Sequence, residues 1–283
     1  MQQIFGVHLI GSYREGTILK NDKTADIVVI FRLLPLKATV QAIGNKIMED
    51  IKNSGAQSTY MVEFCDDHLV VSTSNPELGR IIIHFATTPD NIKKLTNPEI
   101  QVSKLSIVRS LMAIDQANWF DQFVKGHIEV INLIRLLKYI TKQYPDFRLI
   151  TSWMITNLAN YCMTYTADGS HLSSAAAFRR VFQLMSAGIF LPYSSSISDP
   201  LNPVIPIYGE LTVQTLEKIT ACAQTMLRLM GYPGGINYIL DVPPLPQTNL
   251  DKNPFEIPTV WGNVTVTPSV AVLLDGKKES EKV

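Results

Sequence analysis

No run of eighteen or more uncharged apolar residues occurs anywhere in the 283-residue sequence. A helix that crosses a bilayer needs about 20 such residues, so no segment is expected to span a membrane. Residues 1–10 lack the charged opening and long apolar core of a secretory leader. Net charge is missing as well, with 25 Lys and Arg set against 25 Asp and Glu. Domains held on nucleic acid by phosphate attraction alone are strongly basic, so RNA or DNA contact would have to rest on a local patch or on a partner. Cysteine is scarce. Cys65, Cys162 and Cys222 lie far apart, with no C-x-x-C pair and no Cys/His cluster. That spacing excludes the usual zinc frameworks and fits a reducing compartment. Asn263-Val264-Thr265 fits a glycosylation sequon, which is common by chance and is read as unused. There is no internal repeat.

What is present is an apolar globular composition, 46% hydrophobic and 18% charged. A chain of this length buries enough surface to fold without staples, as one large domain or two lobes. The apolar surplus suggests surface shared with a partner. In the first third, strands and helices alternate. Residues 7–10 form a short apolar run ending at Gly11-Ser12, and residues 13–24 are polar and turn-rich. Residues 26–34 read as a strand buried on both faces, ended by Pro35. Residues 37–54 have helical spacing, with Val40, Ile43, Ile47 and Ile51 on one face and Gly55 closing it. Residues 60–65 and 68–72 read as a hairpin about Asp66-Asp67, and 80–85 as a further strand.

From about Lys104 the pattern turns helical, over 106–123, 128–143, 152–163, 173–187 and 212–230. Residues 192–206 and 243–258 read as Pro-rich loops. The expectation is an α+β chain with a mixed sheet lobe at 1–103, an all-helical lobe at 104–275 and a loose tail at 276–283.

The most informative stretch is Ile10-Gly11-Ser12, thirteen residues, then Asp26-Ile27-Val28-Val29. It resembles the nucleotidyltransferase signature of poly(A) polymerases, CCA-adding enzymes and oligoadenylate synthetases. In those enzymes the Gly-Ser turn opens a helix whose N–H groups and serine hydroxyl hold phosphate. The next strand carries two acids one residue apart, which period-two geometry puts on one face. With a third acid on a neighbouring strand they bind the two metal ions that activate the attacking hydroxyl. Here the first acid is Asp26, Val28 stands in the second position, and Arg80-Ile81-Ile82-Ile83-His84-Phe85 contains no acid. A degenerate enzyme, short of two of the three metal-binding carboxylates and without a bound metal, is the expected outcome. An ordinary turn followed by a strand-start acid would leave the same trace.

Further residues resemble, in family order, the DZF domain (domain associated with zinc fingers), a degenerate nucleotidyltransferase fold. They include Gly11-Ser12-Tyr13 with Gly16-Thr17, Ala25-Asp26-Ile27-Val28-Val29-Ile30, Ile43-Gly44-Asn45-Lys46 and Trp119-Phe120. Leu133-Ile134-Arg135-Leu136-Leu137-Lys138, Arg179-Arg180, Ala187-Gly188-Ile189-Phe190-Leu191-Pro192, Ser198-Asp199-Pro200, Ala223-Gln224-Thr225, Trp261 and Val266-Thr267-Pro268-Ser269 continue the match. The family's segment before the first strand and its acidic tail have no counterpart here.

The resemblance implies a non-catalytic chain that pairs with a DZF protein carrying double-stranded-RNA-binding or zinc-finger modules. It would reach RNA or DNA mainly through that partner, in transcription regulation and RNA processing, in the nucleus and also the cytoplasm. It implies that the helical lobe supplies the dimer interface, for which Leu216, Met226, Leu227, Met230 and Trp261 are the candidates. The wide apolar face of 211–230 is otherwise plain core. In oligoadenylate synthetases the helix similar to 128–143 binds the triphosphate, so Arg135 and Lys138, with Gly11 and Ser12, are the phosphate-binding candidates for a weakly held nucleoside triphosphate. No other cofactor is implied. Arg135, Lys138 and Lys142 at i, i+3 and i+7 would equally suit a solvated stripe. The rivals to the pairing role are a nucleotide sensor and an active enzyme with an unusual metal site. His84 reads as a satisfied histidine, Ser12 as a phosphate contact or cap, and Arg179-Arg180 as one surface and one packing residue.

Overall fold

A computed structural model describes residues 4–55, 60–65, 67–75, 79–97, 99–164, 166, 169–209 and 211–242, with the backbone of 259–261 and 264–266. It divides into two units, Met1–His127 and Ile128–Val283.

In the first unit, β1 (Ile4–Ile10), β2 (Thr24–Phe31), β3 (Tyr60–Phe64), β4 (His68–Thr73) and β5 (Arg80–Thr87) form one sheet in the order β1-β2-β5-β4-β3. β2 and β5 are parallel, with Thr24 opposite Arg80 and Val28 opposite His84, and the other pairs are antiparallel. β2 is the β-branched run of the sequence, and Val28 and Ile30 on one face and Phe31 on the other are buried. It stops at Phe31 rather than at Leu34, because Arg32 and Leu33 are already exposed.

Helix α1 (Gly11–Arg14) is a single turn, α2 (Lys37–Asn53) a long helix, and α3 (Pro89–Ile92) another single turn. α2 lies over β3 and β4. A Cβ on Gly44 would come within 2.4 Å of the Phe64 ring and 3.3 Å of Leu69. Helix α4 (Lys104–Phe123) is started by the Ser103 side chain, which accepts from the Ser106 N–H at 3.2 Å. Its Ile107, Ile114 and Ala117 share a buried cluster with Ile10, Val28 and Ala86, so α4 belongs to the sheet. The division between units therefore falls after His127 and not after residue 103. The change in composition marks where strands end, whereas packing decides which unit a helix joins.

The second unit is a helical bundle. Helices α5 (Ile128–Gln143), α6 (Ser152–Thr164), α7 (Ser174–Ser186) and α8 (Val213–Leu229) pack on one another, α5 with α6, α6 with α7 and α7 with α8. Ser173 and Thr212 cap α7 and α8 through their hydroxyls. Leu133, Ile134, Met154, Leu158, Phe182 and Leu216 are buried in this unit. Three features escape the sequence pattern. One is a ribbon inside the expected loop, β6 (Ser198–Asp199) with β7 (Asn202–Pro206). Another is a short helix, α9 (Gly235–Leu240), held between left-handed residues Gly234 and Asp241. The third is a second ribbon, which pairs β8 (Thr259–Trp261) with β9 (Val264–Val266). The second unit is thus helical with ribbons added.

Burial pushes the thiols of Cys162 and Cys222 up to about 12. Because both values are raised, the stability the thiols contribute is intact below their ordinary value of 9.0 and is lost as pH climbs from there toward about 12. The expected loss is roughly 1.4 kcal/mol per thiol for each pH unit above the ordinary value. Melting temperature should fall above pH 9, less steeply in a Cys162→Ala, Cys222→Ala double variant. A thiol-reactive dye at pH 8 should label only half-buried Cys65 until denaturant is added.

Candidate functional site

The candidate site lies where β1 turns back. Gly11 has φ +71°, a left-handed conformation that favours glycine, and a Cβ there would sit 3.3 Å from Asp26 Oδ2. The turn thus brings backbone close to the carboxylate, and Asp26 lies opposite Ile10 in the β1–β2 register. Ser12 follows on α1, where its carbonyl accepts from the Thr17 N–H at 2.9 Å. The phosphate-holding helix expected at this point is one turn of four residues, too short to sum a large dipole. Arg14 fixes that turn to α4. Its Nη1 donates to the Leu9 carbonyl at 3.0 Å, and its Nη2 donates to Asp121 Oδ2 at 2.8 Å. Burial pushes the Asp121 carboxyl up, but hydrogen bonds from Arg14 and Lys125 outweigh it and hold the group below the usual carboxylate range.

Asp26 and Val28 share a face of β2 with His84, which lies opposite Val28 on β5. Val28 is fully buried and presents no ligand atom. His84 Nε2 lies 3.2 Å from Asp26 Oδ1; with its proton on Nε2, the imidazole donates to the carboxylate. This is the partner that sequence reasoning could not supply for His84, since the pairing spans 58 residues and depends on strand register. His68, opposite His84 on β4, adds a second imidazole with ring centroids 5.9 Å apart. A cavity of about 360 Å³ beside them is lined by Ile10, Asp67, His68, His84, Ser106 and Arg109. Asp67 accepts from the Ser103 N–H and from its hydroxyl, both at 2.9 Å, which ties the β3–β4 turn to the start of α4.

The donor set does not fit a pair of magnesium ions. The facing strands offer one carboxylate, one valine and one imidazole, where such a pair of ions is held by three acids. Among the described residues, no group of three or more His, Cys, Asp or Glu is placed to hold a metal ion.

The remaining candidates lie in the second unit. On α5, Arg135 is exposed, with Nη1 donating to Asn132 Oδ1 at 3.3 Å, whereas Lys138 is only 7% exposed. A wholly solvated Arg135–Lys138–Lys142 stripe is therefore corrected, because Lys138 sits on the packed side of the helix. Arg179 is exposed, while Arg180 donates to the Cys162 carbonyl at 3.3 Å and lies over the Tyr161 ring, one surface and one packing residue as expected. Leu216, Met226 and Met230 are buried within the chain, and Leu227 is half-buried. The first three cannot present themselves to a partner, which corrects the interface expected on α8. That helix packs against α7, and the apolar width that suggested a partner is used by the unit's own core. The Trp261 side chain lies outside the described residues.

The sheet order, the Gly-Ser turn against a strand-start acid and the helical second unit define a nucleotidyltransferase fold. Solved structures agree. E. coli MS115-1 CdnC, in complex with HORMA-deltaN, is similar at 16% identity over 81% of this chain and 76% of that chain, TM-score 0.54. A cytoplasmic RNA terminal U-transferase is similar at 10% identity over 87% and 88%, TM-score 0.52. The CdnE c-di-GMP synthase from Capnocytophaga granulosa is similar at 13% identity over 85% and 74%, TM-score 0.52. Residues 1–125 match the DZF N-terminal domain and residues 129–266 match the DZF C-terminal domain. The chain belongs to the DZF family.

Proposed function

We propose that this DZF chain is a non-catalytic partner subunit that pairs with a second DZF protein bearing double-stranded-RNA-binding or zinc-finger modules. The reading is carried by one observation: buried Val28, flanked by His84, stands where the second metal-binding acid would be, and β5 bears no acid. The pairing would stabilise the partner by mass action, since anything that binds only the folded form protects it. RNA or DNA is reached through the partner's modules, consistent with a formal net charge of +0. The setting is nuclear, in transcription regulation and RNA processing.

The pairing surface is drawn from the apolar side chains the second unit leaves exposed. Tyr193 is fully exposed on a left-handed backbone at φ 66°, a conformation that costs on the order of 1–3 kcal/mol unless something holds it. Leu201, Val204 and Ile205 of the ribbon and Val213 at the start of α8 are exposed with it. Tyrosine is among the residue types that dominate interface energetics, and apolar neighbours around it exclude water.

The test is extension of an RNA or nucleotide acceptor by the purified chain with magnesium or manganese. The expected result is no product above background. Transfer abolished by Asp26→Ala would overturn the non-catalytic reading.

A further inference from the structure

We propose that the half of the first unit's sheet left bare by α2 is the docking site for an acidic amphipathic helix of another polypeptide. In-register residues of neighbouring strands share a face, so Leu9, Ile27, Ile83 and Leu69 form one row across the sheet. At the Leu69 end α2 is seated and the side chain is fully buried. At the other end Leu9 is 37% exposed. The neighbouring rows repeat this gradient. Val7 is exposed while Phe85 of the same row is buried, and Ile81 is exposed while Val71 beside it is buried. A sheet face this apolar is stable in water when a second layer covers it. Among the described residues, α2 covers the β3–β4 side and Phe31 and Phe85 are buried near the far ends of β2 and β5, while Val7, Leu9 and Ile81 stay exposed.

The bare half has the dimensions of a helix. β1, β2 and β5 span two strand spacings, roughly 10 Å, close to the width of an α-helix with its side chains. A cavity of about 670 Å³ opens on it, floored by Leu9, Ile18, Ala25, Ile27 and Ile81. Its polar rim decides the charge of the occupant. Among the described residues, Lys20, Lys23 and Arg80 line the cavity with one acid, Asp22. Beyond the other end of β2, exposed Arg32 lies over the Phe5 ring at 5.6 Å. Cations at both ends of an apolar groove suit a helix with an apolar stripe and Asp or Glu on its flanks. This surface belongs to the first unit and is separate from the pairing surface proposed on the second.

The test places a benzophenone-bearing amino acid at exposed Val7 of the full chain, illuminates cells that express it, and sequences the linked peptide. The expected product is a peptide of a different polypeptide, with apolar residues at helical spacing and an excess of Asp and Glu. A synthetic copy of that peptide should bind the purified chain. Leu9→Lys and Lys20→Glu should each weaken binding by about ten-fold or more, and Val204→Asp in the second unit should not. Lys20→Glu keeps the test valid if Leu9→Lys disturbs the sheet, since Lys20 is exposed. Linkage to this chain's own residues, to a second copy, to a basic or extended peptide, or to nothing overturns the proposal. So does a synthetic peptide that binds the Lys20→Glu variant as tightly as the unaltered chain.

Discussion

Gly235→Ala should strongly destabilise the second unit. Gly235 opens α9 where it packs back on the end of α8, and a Cβ there would sit 1.8 Å from the Leu229 carbonyl oxygen and 2.7 Å from its carbon. Both atoms are backbone of a helix whose buried face is already filled, so neither can yield without unpacking α8. The expected cost exceeds about 4 kcal/mol, the range reached when a core must move as a body. For a unit of this size that lowers the melting temperature by on the order of 10 °C or more. Gly126→Ala is the control, because its Cβ would meet nothing within 4 Å. Calorimetry that finds the two variants equally stable would mean that α9 does not pack on α8 in this way.

The second large effect separates core from partner surface. Met226→Asp puts a carboxylate where the side chain is fully buried among apolar neighbours. The charge has no partner there, and the cost is expected to exceed about 4 kcal/mol. The variant should be insoluble, or should lose the circular dichroism of the second unit whether or not a partner is present. Val204→Asp changes a side chain that is 90% exposed. It should shift stability by less than about 0.5 kcal/mol and yet remove co-purification with a DZF partner. A folded, partner-less Met226→Asp variant alongside a fully paired Val204→Asp variant would return the interface to α8.

These outcomes bear on how far the sequence could be read. Helices were legible where apolar residues recur at helical spacing, as in α2 and α8, and β2 was legible from its unbroken apolar run. The turn at Gly11 and the lone acid at Asp26 were legible because the backbone chemistry there is local. The contact between His84 and Asp26 was not, since it depends on which strand β5 lies beside. The role of α8 was misjudged for a related reason. An apolar face shows that something covers it, and the sequence alone does not say whether that something is α7 or another molecule. Composition placed α4 with the helices because it counts residue types, whereas Ile107 and Ile114 are buried in one cluster with Val28 and Ile10. The ribbon at β6–β7 read as a loop because its strands are two and five residues long and β7 carries two prolines.

The order of strands also governs how the chain emerges from the ribosome. β2 is completed early, close behind β1 in the chain, but its other edge waits for β5, joined in parallel with Thr24 opposite Arg80. The intervening chain must be synthesised first, and at roughly 5–20 residues per second this leaves the edge of β2 bare for some seconds. During that interval Val28 and Ile30 have no second strand and no α4 above them. Until then the apolar residues of β2 have no layer to bury them and its free edge is open to wrong pairing. Non-local parallel pairing of this kind is slow to form, so synthesis rate and chaperone supply should set the yield of this protein as strongly as its final stability does.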